Sequence, residues 1–91
     1  MDSVSFVLIK KVLKTIPIHI VRNLQRWVLQ VEMMGINEIR KIPGYHDEPL
    51  KGKRKGQRSI RLSKAYRAIY VESQSGGINN IEIVEVTKHE Y

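Results

Sequence analysis

Between Ile20 and Met34 the apolar residues return every three or four positions. Ile20, Val21, Leu24, Trp27, Val28, Val31 and Met34 form one stripe, while His19, Arg22, Asn23, Arg26 and Gln30 fall largely on the other face. That recurrence predicts a helix that buries one side against a core. Thr15 offers a cap at its start, Pro17 stands where a first-turn proline is tolerated, and Gly35 suits its end. Trp27 lies on the stripe, so it is expected in the core and not as a surface platform for a base. Upstream, Ser3 to Ile9 alternates, with Val4, Phe6 and Leu8 on one side, which predicts a strand. Lys10 to Lys14 fits a helical turn or two.

After Gly35, the stretch from Ile36 to Ile42 predicts one more helical turn, ended by Pro43-Gly44. Tyr45 to Gly56 reads as a long loop containing Pro49, Gly52 and Gly56. Loops of about a dozen residues are uncommon in small domains and are often functional. Gln57 to Leu62 predicts a strand with Ile60 and Leu62 on one face and Ser59 and Arg61 on the other. Ser63-Lys64-Ala65 joins it, as a hairpin, to a second strand from Tyr66 to Glu72. Ser73 to Asn80 is a polar, glycine-rich turn. Ile81 to Thr87 predicts a last strand, apolar on both faces at Ile83-Val84 and so centrally placed. The order is strand, helix or helices, then three strands. It predicts a single α+β domain over residues 1–91, an antiparallel meander with the helices packed on one sheet face. The other face is left to the hairpin, the loop and the C-terminal residues.

Charge adds a direction to that open face. Between Pro49 and Val71 there are eight Lys or Arg and no Asp or Glu, whereas the rest of the chain sets eight basic residues against nine acidic ones. The formal net charge of +7 therefore resides in one window. Such concentration is the footprint of a polyanionic partner, most often nucleic acid. A lysine-rich hairpin that only meets solvent would carry the same charge. Here, however, the basic residues begin in a glycine-flanked loop and run onto two strands with aromatics between them. There is no cysteine, which excludes disulfides, thiolate metal sites and a cysteine nucleophile. No apolar run reaches the length of a membrane span, and the N-terminus lacks a basic-then-apolar leader with a small-residue cleavage site. A soluble, cytoplasmic protein is the expectation.

Several short motifs in sequence order carry a resemblance. They are Glu48-Pro49-Leu50-Lys51-Gly52, the run from Lys55 to Leu62, Tyr66-Arg67-Ala68-Ile69-Tyr70, and the ending His89-Glu90-Tyr91. Together with the β-α-β-β-β order, they resemble the RelE/ParE superfamily of bacterial toxins, most closely its RelE, YoeB and HigB branches. The resemblance covers nearly the whole chain. It implies the toxin half of a toxin–antitoxin pair, with a cognate antitoxin as partner. In these branches it also implies cleavage of mRNA on the ribosome, without a metal or other cofactor. The ParE branch instead poisons DNA gyrase, so a gyrase inhibitor without catalysis is one alternative. A small RNA-binding domain without enzymatic activity is another.

Metal-free RNA cleavage needs a base for the attacking 2′-hydroxyl, cations for the charge that grows on the phosphate, and an acid for the leaving oxygen. Arg67 falls on the arginine of the family's strand motif, and a guanidinium can grip two phosphate oxygens. Arg61 and Arg58 lie on opposite faces of their strand, so only one can line the cleft, and Arg61, which shares its face with Ser59, is preferred. The resemblance assigns Glu48 as general base and Tyr91 as a residue at the base or phosphate. Imidazole as a group titrates near neutrality, which makes His89 a candidate acid or base, although Glu90 separates it from Tyr91, unlike the YoeB ending. His46, near Glu48, ranks below it. Lys51, Lys53, Arg54, Lys55 and Arg58 are expected to contact phosphates, which gives affinity but little sequence choice.

Overall fold

Ile18–Met34 forms the one long helix of the described residues, α1. The computed structural model describes residues 2–6 and 14–88. Ile20, Leu24, Trp27 and Val31 are the buried positions of α1. The predicted stripe is wider than the buried one, because Met34 at its end is 59% exposed. The chain turns at Gly35 and sends Ile36 and Ile39, both fully buried, into the core instead. Pro17 takes the flanking position at the start of α1, where Thr15 was expected, and its carbonyl accepts from the amides of Ile20 and Val21 at 3.0 and 3.2 Å. Gly35 has φ 88° and donates its N–H to the Val31 carbonyl at 2.8 Å. A side chain would be strained at that φ, which is why glycine stands there. The short helix α2, Ile36–Ile39, follows at once. The Asp2 carboxylate caps it by accepting from the Ile36 amide at 2.5 Å.

The strands are β1 (Asp2–Phe6), β2 (Glu48–Pro49), β3 (Arg58–Arg61), β4 (Tyr66–Ser75) and β5 (Ile78–Lys88). They form one sheet in the order β1-β5-β4-β3-β2. The meander from β2 to β5 is antiparallel, but β1 runs parallel to β5, so the sheet is mixed and not purely antiparallel. Both helices and the other three strands separate β1 from β5 in the chain, far more than the roughly one dozen residues a parallel pair needs. The remainder of the first predicted strand, residues 7–9, and most of the predicted turn after it lie outside the described residues.

Three further expectations change in detail. The stretch from Tyr45 to Gly56 is not a structureless loop: it ends a 3₁₀ turn (Pro43–Tyr45), supplies β2 and makes a second 3₁₀ turn (Gly52–Arg54). The last hairpin is longer than predicted, because β4 and β5 run out to a two-residue Gly76-Gly77 turn with φ of 58° and 80°. Two positive φ values in a row match the twist of a hairpin, and the polar residues on either side pair across it. The last strand is interior as expected, flanked by β1 and β4, but it carries a bulge, since Ile69 faces Glu85 while Tyr70 faces Ile83, which leaves Val84 extra.

The core lies between α1 and one sheet face. Trp27 and Tyr70 are its largest members, with ring centroids 5.3 Å apart at 44°. Such a pair contributes about 0.5–1.5 kcal/mol beyond its buried area. Ile60, Ala68, Ile83 and Val86 meet the helix from the sheet. Their strand neighbours point to the opposite face, where the site lies. No helix among the described residues is long and apolar enough to cross a membrane.

Candidate catalytic and nucleic-acid site

Strand register decides which side chains share the face away from α1. Glu48 is opposite Ser59, Ser59 opposite Ile69, and Ile69 opposite Glu85. One step along, Arg61 is opposite Arg67 and Arg67 opposite Thr87. Directly opposed residues project to the same side of a sheet. Two rows of side chains, polar or charged except for Ile69, therefore cross the open face.

Arg67 is the centre of this arrangement. Its Nε donates to Ser59 Oγ at 2.6 Å. Its Nη2 reaches Glu48 Oε1 and the His46 carbonyl, both at 3.3 Å. Among the described residues Nη1 has no partner, so one corner of the guanidinium is available to an incoming anion. His46 Nε2 stands 3.5 Å from Glu48 Oε2. Glu48 thus lies between an arginine and a histidine, and both Glu48 and His46 are about half exposed. His46 adopts φ 47°, a left-handed value uncommon for a residue with a side chain. That turn lets His46 and Glu48 face the cluster while Asp47 between them turns inward.

Asp47 holds this segment from behind. Its side chain is 1% exposed. It accepts from Arg58 Nε at 2.7 Å and from the Tyr70 hydroxyl at 2.6 Å, and Arg40 Nε stands 3.9 Å away. Arg40 also donates to Tyr70 and binds Glu72 at 2.7 Å. Burial pushes the Tyr70 phenol up from its ordinary range, and the bond to Asp47 adds to the shift. Sequence reading missed Asp47, Arg40 and Tyr70. The available signal was Tyr70 itself, since a core-facing tyrosine needs a partner for its hydroxyl.

The remaining predicted residues divide. Arg61 shares the open face with Arg67, whereas Arg58 points to the other side and is tied to Asp47. Arg58 is therefore a structural cation and not a free phosphate contact. Lys51, Lys53 and Lys55 are exposed and, among the described residues, have no acidic partner. Arg54 differs: it crosses the open face to Glu85 at 3.0 Å. Glu48, expected in a loop, is on β2, and its cationic partners are Arg67 and His46. His89 and Tyr91 lie outside the described residues. No group of three or more His, Cys, Asp or Glu among the described residues is arranged to hold a metal ion.

No family model and no curated protein matches the sequence at a significant level. Solved structures do match. A YoeB/ParE toxin from Agrobacterium tumefaciens superposes with a TM-score of 0.68 at 19% identity, covering 97% of this chain and 99% of that one. YafQ from E. coli gives 0.66 at 14% identity, with 98% and 94% covered. A toxin–antitoxin complex from Mycobacterium tuberculosis gives 0.62 at 17% identity, with 96% of each chain covered. The matches run over nearly the whole of each chain, and this chain has the fold of the RelE/YoeB-type toxins.

Proposed function

We propose that this protein is the toxin of a toxin–antitoxin pair and that it cuts mRNA on the ribosome. The observation that carries the reading is Arg67, held by Ser59 and Glu48 on an open face beside an exposed basic loop. The 2′-oxygen attacks the adjacent phosphorus and the bond to the 5′-oxygen breaks. The products are a 2′,3′-cyclic phosphate and a free 5′-hydroxyl. Glu48 takes the 2′-proton, and His46 beside it can pass that proton on. Arg67, through Nη1, meets the charge that grows on the phosphate oxygens. In-line attack puts the leaving oxygen on the side of phosphorus away from the base. His46 is on the base side, 3.5 Å from Glu48. The proton for the leaving oxygen is given to His89 or Tyr91, the residues that the resemblance and the imidazole chemistry put forward, with Arg61 as a second cation. Lys51, Lys53, Arg54 and Lys55 grip distant phosphates. The solved toxin–antitoxin complex of this fold supports a protein antitoxin as the neutralising partner, and the cytoplasm is the location proposed.

The test is to incubate the purified chain with translating ribosomes and map mRNA ends by primer extension. New ends that vanish when Tyr91 is deleted from a folded protein are expected. Intact mRNA, together with normal growth of a bacterial host that expresses the soluble chain, would reject the reading. A supercoiling assay would then test gyrase inhibition.

A further inference from the structure

Where α1 passes β3 beyond its short pairing with β2 there is a cavity of about 270 Å³. Asn23, Arg26 and Gln30 of α1, Arg61 of β3, and Ile42 and Tyr45 line it. The charge at this cavity differs from that of the cluster. Arg40, Arg54, Arg58 and Arg67 each meet a carboxylate. Arg26 and Arg61 are exposed, and among the described residues neither has an acidic partner. Both line the cavity, Arg26 from α1 and Arg61 from the open-face side of the β3 edge that β2 leaves unpaired, and two free cations at the rim of one concave site attract an anion.

The other lining groups specify more than charge. Asn23, Arg26 and Gln30 stand at i, i+3 and i+7, a row about 10 Å long on one helix face. Both amides are already oriented. Asn23 Nδ2 donates to the Leu62 carbonyl at 2.8 Å, which leaves its Oδ1 as an acceptor. Gln30 Oε1 accepts from the Tyr45 hydroxyl, which leaves its Nε2 as a donor. Beside that donor the Tyr45 ring supplies a flat apolar wall. A row with a cation in the middle, a ring to stack on and a fixed donor next to it suits a phosphate joined to a base. The volume lies at the lower end for ligand pockets, roughly 300 Å³, and suits one nucleotide.

The cavity also adjoins the cluster. Arg61 is the direct cross-strand neighbour of Arg67. Gly44 and Tyr45 line the cavity, and His46 and Glu48 follow them in the chain. An RNA strand with its scissile phosphate on Arg67 runs its next nucleotide past Arg61.

We propose that this cavity binds the nucleotide beside the cleaved bond, with its phosphate on Arg26 and Arg61 and its base on Tyr45 and Gln30. As a specificity subsite it rests on the ribonuclease reading, but the binding itself can be measured without cleavage. The probes are 5′-phosphorylated, fully 2′-O-methylated trinucleotides of each base, titrated into the full chain and followed by NMR. Saturable shifts are expected at the Gln30 side-chain amide and the Arg26 Nε–H, stronger for one base than for the others. Arg26→Ala, an exposed change that leaves the fold intact, should weaken binding about tenfold. It should also lower the log–log salt slope by about 0.7. In primer extension, Arg26→Ala should redistribute the bases flanking the cuts.

The outcomes separate the two readings. Trinucleotide binding at the cavity by a protein that never cuts mRNA rejects the ribonuclease and keeps the nucleotide site. Normal cutting with no saturable shift at Gln30 or Arg26 rejects the site and keeps the ribonuclease. A hexaglutamate peptide that shifts the same signals as strongly as the trinucleotides, at equal ionic strength, assigns the cavity to an acidic protein segment and overturns the proposal.

Discussion

Asp47 and Glu48 are consecutive, carry the same charge and both meet arginines, yet they belong to different regions of the molecule. Asp47 is 1% exposed, with Arg58 and the Tyr70 hydroxyl bound to it at hydrogen-bond distance. Glu48 is 48% exposed and its ion pair with Arg67 spans 3.3 Å. The first region has the short contacts and burial of a structural ion-pair hub. The second has longer contacts and open access to solvent. The difference teaches that charge content does not mark a site. A carboxylate whose cations are fully engaged behind the sheet positions the chain, while one half open to solvent can exchange its partner for substrate.

The widest gap between the two regions should be in stability. Asp47→Ala leaves Arg58 and Tyr70 without an acceptor and is expected to cost about 3–5 kcal/mol. Glu48→Ala should cost no more than about 1 kcal/mol, as for exposed ion pairs. Urea unfolding of the two variants makes the comparison, and equal losses would erase it.

Activity should invert that order. Arg67→Ala removes a cation aimed at charge that grows only in the transition state. A loss on the order of 100- to 1,000-fold in mRNA cleavage is expected, about 3–4 kcal/mol. Ribosome pelleting should weaken far less, since one phosphate contact among several is lost. Parallel losses of pelleting and cleavage would turn Arg67 into a docking residue.

A smaller effect sharpens the buried side through pH. Burial, helped by the bond to Asp47, raises the Tyr70 phenol above its usual value. The unfolded chain, with a phenol near 10, loses that proton first. Stability is then fully present below about pH 10 and falls above it, by about 1.4 kcal/mol per pH unit until the folded phenol ionises. Tyr70→Phe should flatten this alkaline limb in thermal melts. An unchanged limb would mean that Tyr70 is not held as the structure shows.

The smallest effect concerns the open face at a distance from Arg67. If about five loop and hairpin cations meet phosphates, RNA affinity should fall with salt at a log–log slope of about −3 to −4. Replacing Lys53, Arg54 and Lys55 by Ala should remove about 2 from it. Arg54 should contribute less than either lysine because Glu85 already stands 3.0 Å away. Single substitutions with equal slope changes would show that the Arg54–Glu85 pair opens at no cost when RNA binds.

Legibility varied with the range of the interaction. α1 and its buried Trp27 were readable because helical periodicity is set within a few residues. Arg61 and Arg58 were placed on opposite faces by alternation alone, and the structure has them so. Gly76-Gly77 carried the hairpin signal, but the longer polar stretch around it obscured how far the strands extend. The loop containing Glu48 was misread because a two-residue strand has no period of its own and exists only by pairing with Arg58 and Ser59.

By itself the sequence determined the layer of helix on sheet, the concentration of positive charge and the residue types available for phosphate chemistry, since each follows from local pattern or composition. Only the tertiary structure decided which charges are spent on one another. Arg40, Arg58 and Asp47 come from three separate segments, and no local rule distinguishes them from Arg61, Arg67 and Glu48. Register across β2, β3 and β4 sends one set behind the sheet and the other onto the open face. The reason is geometric: adjacent residues of an extended chain point opposite ways, and only pairing with distant strands fixes which way is inward.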